Sequence, residues 1–490
     1  MPKFYLTTPI YYINAKPHIG HAYTTLAADV IARQKRRALG DDNVFLLTGT
    51  DEHGAKIAEA AKRDGKDPKT FSNSMAPLFA KTWRRLNISH NHFIRTTDEY
   101  HEKGAAEFLT ALKNKSALYE GNYSGLYCRG CESFITEKQL TKDGLCNDHM
   151  QKPERIVEKN WFFKLHEYLP KIQKMIEDGK IRVLPEARTE ETLGLFRQGM
   201  EDFSVSRPNV TWGIPLPWDK KQTIYVWVEA LLNYWSAIHK CQMSNVKCQM
   251  FWPPDLQIIG KDIIKFHCIY FPAMLLAYYD GNSEQLPKTI FAHGFFTVNG
   301  RKMSKTLGNI IDPNDLADLY GTDGARYLML SQFPFGSDGD IEEGKFDEKY
   351  NSDLANGIGN LVSRITTLCL KQITDWGGFW KQARMNHELR ITNHEEKEPL
   401  VNFKLYEILR QSIQKARLCD EFLAKEKPWQ LDKTKDQDKI INILTESALH
   451  LAAISESTEP FLPDTASQIR QRFDIDKQSV SQGAPLFPRK

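Results

Sequence analysis

Lys3-Phe4-Tyr5-Leu6-Thr7-Thr8 opens the chain as a short β-prone run, Pro9 to Pro17 reads as a loop, and a helical pattern starts at His18. Ile19, Ala22, Leu26, Val30 and Ile31 recur at helical spacing, and Gly40 stands where a left-handed residue would cap that helix. Val44-Phe45-Leu46-Leu47-Thr48 follows as a fully apolar strand. Strand, helix and strand in this order make a βαβ unit, which predicts parallel strands and a right-handed crossover. A second α/β stretch comes later. Leu256-Gln257-Ile258-Ile259 reads as a buried strand, Gly260-Lys261-Asp262 as a turn into a helix reaching about Tyr279, and Thr289 to His293 as another strand. Two such halves, far apart in the chain, predict one Rossmann-type sheet split by an insertion.

Beyond about Tyr350 the pattern is helical only. Asn351 to Ile373, Asn402 to Lys427 and Lys439 to Ser455 are long periodic segments with short polar joints, which predicts an antiparallel bundle. Ala383 to Glu398 is the most polar stretch and reads as a loop or linker. The length, 490 residues, suits about three domains. Hydrophobic residues make up 41% and charged residues 26%, as in an ordinary globular protein. With 65 basic against 62 acidic side chains, the formal charge of +3 excludes a nucleic-acid binder held by bulk charge, though not a shaped RNA surface. The N-terminus shows no secretory h-region, so the expected compartment is the cytoplasm. Phe266 to Tyr279, the richest apolar run, contains His267 and Pro272 and falls short of the about 20 residues a membrane span needs. It reads as a buried helix, and no membrane association is expected.

Two short segments carry chemistry. His18-Ile19-Gly20-His21 opens a helix after a buried strand, where unpaired N–H groups and the positive end of the helix dipole attract phosphate. Gly20 lets a flat ligand approach the backbone, and His18 and His21 share one helical face. Two surface histidines at a cap would show the same spacing; the strand–loop–helix setting favours the phosphate site. Arg301-Lys302-Met303-Ser304-Lys305-Thr306 follows the hairpin signal Asn299-Gly300. Lys302 and Lys305 on such a loop could neutralise a triphosphate, although a plain solvated basic loop has the same composition.

A third segment suits a metal. Cys128-x2-Cys131 and Cys146-x2-His149 form two close ligand pairs, with Gly130 and Gly144 at the tight turns. The spacing fits a four-coordinate structural Zn²⁺ knuckle with no open position for catalysis. Of the eight cysteines, Cys241, Cys248, Cys268, Cys369 and Cys419 remain as packing thiols.

The two phosphate-type segments, in this order, are the ATP signatures of class I aminoacyl-tRNA synthetases. The chain resembles the methionyl-tRNA synthetase family over nearly its whole length. The resemblance rests on Thr7-Thr8-Pro9-Ile10-Tyr11-Tyr12, Thr48-Gly49-Thr50-Asp51-Glu52-His53-Gly54, Trp212-Gly213-Ile214-Pro215-Leu216-Pro217, Tyr225-Val226-Trp227 and Ile259-Gly260-Lys261-Asp262. Thr306 stands where many members have Ser, and Glu229 where Asp is common.

The resemblance implies a catalytic domain in two halves, residues 1–114 and 223–295, around a connective insertion with the zinc knuckle at 115–222. It also implies a signature-loop, stem-contact region at 296–349 and an α-helical anticodon-binding domain at 350–490. It implies a methionine–tRNA ligase that makes methionyl-adenylate from L-methionine and ATP with Mg²⁺, releasing pyrophosphate, and then charges tRNA(Met). His18, His21, Lys302 and Lys305 would be catalytic. ATP would be bound by these four with Gly20, Gly260, Asp262, Met303 and Ser304. Methionine would be held by Ile10, Tyr12, Asp51, Trp227, Ala230, Tyr234, Phe266, His267 and Phe271, with Asp51 at the ammonium. Methionine offers only fit and a weak sulfur acceptor, so aromatic walls worth about 0.3–1.5 kcal/mol per sulfur contact are sensible. Asn360, Arg364 and Trp429 would read the anticodon. A monomer is expected, because the appended dimerisation domain of some relatives has no counterpart.

Alternatives are another class I enzyme for an aliphatic amino acid, a small-molecule nucleotidyltransferase, or a non-catalytic RNA-binding zinc protein. The insertion looks too short for an editing domain, and the second and third alternatives do not need the helical bundle or the complete His18, His21, Lys302 and Lys305 set, respectively.

Overall fold

The computed structural model describes residues 2–490 except 129, 131–132, 136, 138–139, 148–149, 241–247, 304–307 and 394–402, and except the side chains of 123–124, 133–134, 302 and 386–393. The chain divides into two compact units. One comprises Met1–Pro17, Lys35–Lys81 and Ser89–His293; the other comprises His18–Gln34, Thr82–Ile88 and Gly294–Lys490.

The first unit is built on a six-stranded sheet in the spatial order His92–Arg95, Val44–Asp51, Phe4–Tyr12, Leu256–Gly260, Thr289–His293, Arg182–Leu184. Every pairing in it is parallel. Val44–Asp51 is buried at every position, as a parallel strand covered on both faces must be. Phe4–Tyr12 and Leu256–Gly260 lie side by side at the centre, with Leu6 opposite Leu46 on one side and Leu256 on the other. The strand order reverses here, and ligands of open α/β sheets bind outside the carboxyl ends of strands at such a point. Pro9 cannot donate to the ladder, and the register shifts between Thr7 and Ile10, which sets the direction of Ile10 and Tyr12. Gly49 is obligatory on the neighbouring strand, because a Cβ there would collide with the Ile94 carbonyl.

Arg182–Leu184 comes from inside the span read as the insertion, yet it pairs with Thr289–His293 and extends the six-stranded sheet. The rest of that span contributes the helices Leu169–Glu177 and Glu186–Arg197 and most of two antiparallel sheets. One contains Ser133–Ile135, Leu118–Cys128, Glu154–Phe163 and Phe203–Ser204; the other contains Pro215–Leu216, Asp219–Ile224 and Ser206–Arg207.

The second unit holds most of the helix Ile19–Leu39, a three-stranded sheet of Arg301–Lys302, Phe296–Val298 and Gly339–Ile341, and the C-terminal helices. Asn299 and Gly300 both have positive φ, 52° and 72°, and turn Phe296–Val298 directly into Arg301–Lys302. Asp312 caps the helix Pro313–Leu330 by accepting from the Asn314 N–H at 2.8 Å. The bundle consists of Asn360–Gln372, Trp376–Asn393, Leu405–Glu426, Gln437–Thr458 and Pro463–Arg472, with a π-helical turn, Asn351–Gly359, leading into the first. Gln437–Thr458 packs against the other four and buries Ile440, Leu444, Leu451 and Ile454 at helical spacing.

One expectation is corrected. The polar stretch from Ala383, read as a linker, continues the helix Trp376–Asn393; its last residues, 394–398, lie outside the described ones. Trp376, Phe379 and Trp380 pack edge and face at 5.0–6.4 Å, and Phe379 and Trp380 are buried. This aromatic anchor at the N-terminal half sustains a helix whose C-terminal half has no apolar periodicity of its own.

Candidate active site and RNA-reading face

In the second unit, His18 immediately precedes the helix Ile19–Leu39, and its Nδ1 accepts a hydrogen bond from the Gly20 N–H at 3.1 Å. The backbone N–H of His18 donates in turn to Nδ1 of His21 at 3.3 Å. The two rings stack with centroids 3.8 Å apart and 24° between planes. Desolvation, and then the neighbouring His18, push the pKa of His21 well below the usual range. With Nδ1 accepting on both rings, Nε2 is the nitrogen left to carry a proton, as a donor suited to phosphate oxygens.

A Cβ at Gly20 would lie 2.9 Å from Cε1 of His18 and 3.4 Å from Cε of Met303. The glycine therefore brings the helix start and the basic loop together. The Ile19 N–H adds a hydrogen bond to the Ile311 carbonyl, 3.0 Å away, just beyond that loop. The Lys302 backbone pairs with Thr297, while its side chain and all of Ser304, Lys305 and Thr306 lie outside the described residues.

In the first unit, Tyr12 and Asp51 are register partners at the carboxyl ends of adjacent central strands, and Ile10 is opposite Gly49. Trp227, on the helix Val226–Leu231 with Ala230, meets Tyr12 edge-on at 6.0 Å and stacks on Phe266 at 4.2 Å. Phe266 and His267 belong to a π-helical turn, Phe266–Tyr270, which continues into Phe271–Tyr278. Nδ1 of His267 donates to the Ile263 carbonyl at 3.0 Å, so Nε2 accepts from the Tyr234 hydroxyl at 2.9 Å. Burial lowers the pKa of His267 to about 4 and keeps the ring neutral. Tyr234 also packs against Phe271, with centroids 5.7 Å apart. Ile10, Tyr12, Asp51, Trp227, Ala230, Tyr234, Phe266, His267 and Phe271 thus come from two strand ends and three helical segments of one unit. Gly260 ends the strand Leu256–Gly260, and exposed Asp262 sits in the short turn after it.

Residue-type reasoning missed the groups that hold this strand end. Glu52, fully buried, accepts two hydrogen bonds from Arg95, at 2.7 and 2.8 Å, one from Thr97 at 2.6 Å and one from Thr50 at 2.7 Å. The Trp212 indole donates to the Glu52 carbonyl at 2.6 Å. Thr50, Glu52 and Trp212 lie in two of the segments that carry the family resemblance, whereas Arg95 and Thr97 lie in none of them.

Cys128 and Cys146 are buried in one small core with Ile135, flanked by Leu126 and Leu140. Gly144, at φ 73°, makes the turn before Cys146. Cys131 and His149 lie outside the described residues, and among the described residues no group of three or more metal-type ligands occurs. Cys248, Cys268, Cys369 and Cys419 are buried, as packing thiols would be, and Cys241 is outside the described residues. On the bundle, exposed Asn360 lies one turn from Arg364. The Arg364 guanidinium sits 4.9 Å from the centroid of the Trp429 ring and 2.6 Å from Asp420.

A switch-point parallel sheet, a two-histidine helix start tied to a basic hairpin loop, and a following helical bundle define the class as nucleotide-using α/β enzymes of the synthetase type. Residues 4–151 and 141–366 match the family model described as tRNA synthetases class I (M). The chain belongs to that family. It is 39% identical to a methionine–tRNA ligase of Thermotoga maritima over 99% of this chain and 80% of that one. It is 38% identical to the Rickettsia conorii methionine–tRNA ligase over 97% and 93%. The structure of Mycobacterium tuberculosis methionyl-tRNA synthetase in complex with methionyl-adenylate superposes with a TM-score of 0.88 at 30% identity, covering 100% of both chains. Among the described residues no helix is long and apolar enough to cross a membrane.

Proposed function

We propose that this chain is a methionine–tRNA ligase. A carboxylate oxygen of methionine attacks the α-phosphorus of ATP, the bond to the β-phosphate oxygen breaks, and pyrophosphate leaves. A hydroxyl of the terminal adenosine of tRNA(Met) then attacks the carbonyl carbon, and AMP departs with the bonding electron pair. Neither step needs a covalent enzyme intermediate, so positioning and charge stabilisation supply the catalysis.

The observation that carries this reading is the packing of Gly20 against both His18 and Met303, which assembles the two phosphate-type segments. In it, the Nε2–H groups of His18 and His21 donate to ATP phosphates, and Lys302 and Lys305, flanking Met303 and Ser304, neutralise the charge that develops on the leaving pyrophosphate. ATP brings Mg²⁺ with it. Gly260 and Asp262 receive the adenosine, with Asp262 accepting from the ribose hydroxyls. Asp51 pairs with the methionine ammonium, and Tyr12, Trp227, Phe266, Phe271 and the neutral His267–Tyr234 pair enclose the side chain with Ile10 and Ala230.

Cys128, Cys131, Cys146 and His149 would hold one Zn²⁺, which closes a four-ligand structural site when bound; the shared core of Cys128 and Cys146 suits this donor set. Asn360, Arg364 and Trp429 read unpaired anticodon bases by edge hydrogen bonds and stacking. The domain limits at 114, 222, 295 and 349, a monomeric state and a cytoplasmic location belong to the same reading. Purified protein should exchange pyrophosphate into ATP only when methionine is supplied. Equal exchange with leucine or isoleucine would sink the substrate assignment.

A further inference from the structure

Glu229 is completely buried, and its Oε1 lies 2.9 Å from Nδ1 of His53, itself 3% exposed. The partners are 176 positions apart in the chain. His53 follows Asp51 by two residues, where the strand Val44–Asp51 runs out. Glu229 sits on the helix Val226–Leu231 between Trp227 and Ala230.

Further groups pack around His53. Its ring lies 5.1 Å from the Trp212 ring, and the Trp212 carbonyl accepts from the Gly54 N–H at 3.0 Å. Nε2 is 3.7 Å from the half-exposed carboxylate of Glu102. Burial, the largest single influence, lowers the pKa of His53, but the carboxylates of Glu229, Glu102 and Glu52 together outweigh it and raise the value; burial raises that of Glu229. The two side chains meet at hydrogen-bond distance in a buried setting. Oε2 of Glu229 has no hydrogen-bond partner among the described residues, so His53 alone among them holds this carboxyl group. The preceding residue, Glu52, is fastened separately by Arg95, Thr97 and Thr50.

We infer that Glu229 and His53 form a buried clasp that sets the spacing between Asp51 and the Trp227–Ala230 wall, making Glu229 a positioning residue for the amino acid. The inference rests on the proposal that Asp51 and Trp227 hold methionine. One end of the clasp is two residues from the group assigned to the ammonium, and the other is flanked by two groups assigned to the side-chain wall. A pocket that selects an uncharged side chain by fit depends on such spacing, since one methylene of misfit is worth only about 10–200-fold.

The test measures methionine-dependent pyrophosphate exchange on the full chain. Glu229→Ala should raise the methionine KM about tenfold while the ATP KM and kcat stay within about twofold. Glu229→Gln, which keeps an acceptor at the same reach, should restore the methionine KM to within about threefold of the unsubstituted value. The double variant Glu229→Ala with His53→Ala should be no worse than Glu229→Ala alone, because the clasp is lost once. If Glu229→Ala does not fold by circular dichroism, His53→Phe, which keeps a ring but removes the hydrogen bond, takes its place with the same expectation. An unchanged methionine KM, a parallel rise in the ATP KM, a Gln variant no better than Ala, or additive losses would each overturn the clasp. Failure of the functional proposal itself would look different: the unsubstituted protein would show no methionine-dependent exchange.

Discussion

Arg326 and Asp29 form an ion pair at 2.8 Å in which both side chains are completely buried. Arg326 also donates to the carbonyls of Phe461 at 2.6 Å, Pro460 at 2.9 Å and Leu86 at 2.9 Å, while Asp29 accepts from Arg33 at 2.9 Å. Within the second unit this one guanidinium joins the helix that begins beside His18, the end of Thr82–Ile88 and the turn after Gln437–Thr458.

Removing one partner of this pair should be severe. Arg326→Met removes a buried donor from Asp29 and three carbonyls; breaking a buried pair costs about 3–5 kcal/mol, and Arg33, which still reaches Asp29, places this variant toward the lower end. The denaturant midpoint of the variant should fall accordingly. A change below about 1 kcal/mol would show that the cage relaxes or admits water.

Gly20→Ala should damage ATP use and spare methionine binding. The new Cβ would be pressed against the His18 ring at 2.9 Å, so the histidine or Met303 must move. The ATP KM should rise at least about tenfold, with the circular dichroism spectrum unchanged. Normal ATP kinetics would show that the packing of Gly20 does not serve ATP binding.

Acid should weaken the fold before the carboxylates titrate. Burial lowers the folded pKa of His267 to about 4 and of His101, which also faces His53, to about 3. Unfolded histidines titrate near about 6.5. The unfolded chain therefore binds more protons between these values, so this stability is complete above pH about 6.5 and is lost as pH falls toward the folded values. His53, raised in the folded state, acts with the opposite sign and offsets part of the loss. Denaturant midpoints should drop from pH 6.5 to 5, with a shallower slope in His267→Gln. A midpoint that is flat or rising over that interval would contradict the neutral assignment.

Trp429→Ala should raise the tRNA KM and leave methionine-dependent exchange intact, because Trp429 is 39% exposed and carries little of the core. Normal aminoacylation kinetics would make Trp429 only a rest for Arg364.

The protein as isolated should contain one zinc per chain, and chelation should loosen the segment around Cys128 and Cys146 in hydrogen exchange. A metal-free protein with full protection there would contradict the knuckle.

The amino-acid sequence by itself determined the features whose signals are local. The apolar run at Val44, the helical period after Ile19, the Asn299–Gly300 hairpin and the bundle periodicity each depend on neighbours a few residues apart, and the structure contains all four. Chemistry-bearing residue types at short spacing, such as His18 with His21, were equally legible. Tertiary structure decided the rest. Arg182–Leu184 spans three residues, too few to show a period, and is a strand only because Thr289–His293 offers it an edge. The helix Trp376–Asn393 exists through the packing of its aromatic end, against the polarity of its tail. The buried pairs Arg326–Asp29 and Glu229–His53 join distant positions. A charge in sequence carries no record of its partner; burial selects one, because a desolvated charge is tolerated only where the fold supplies its complement.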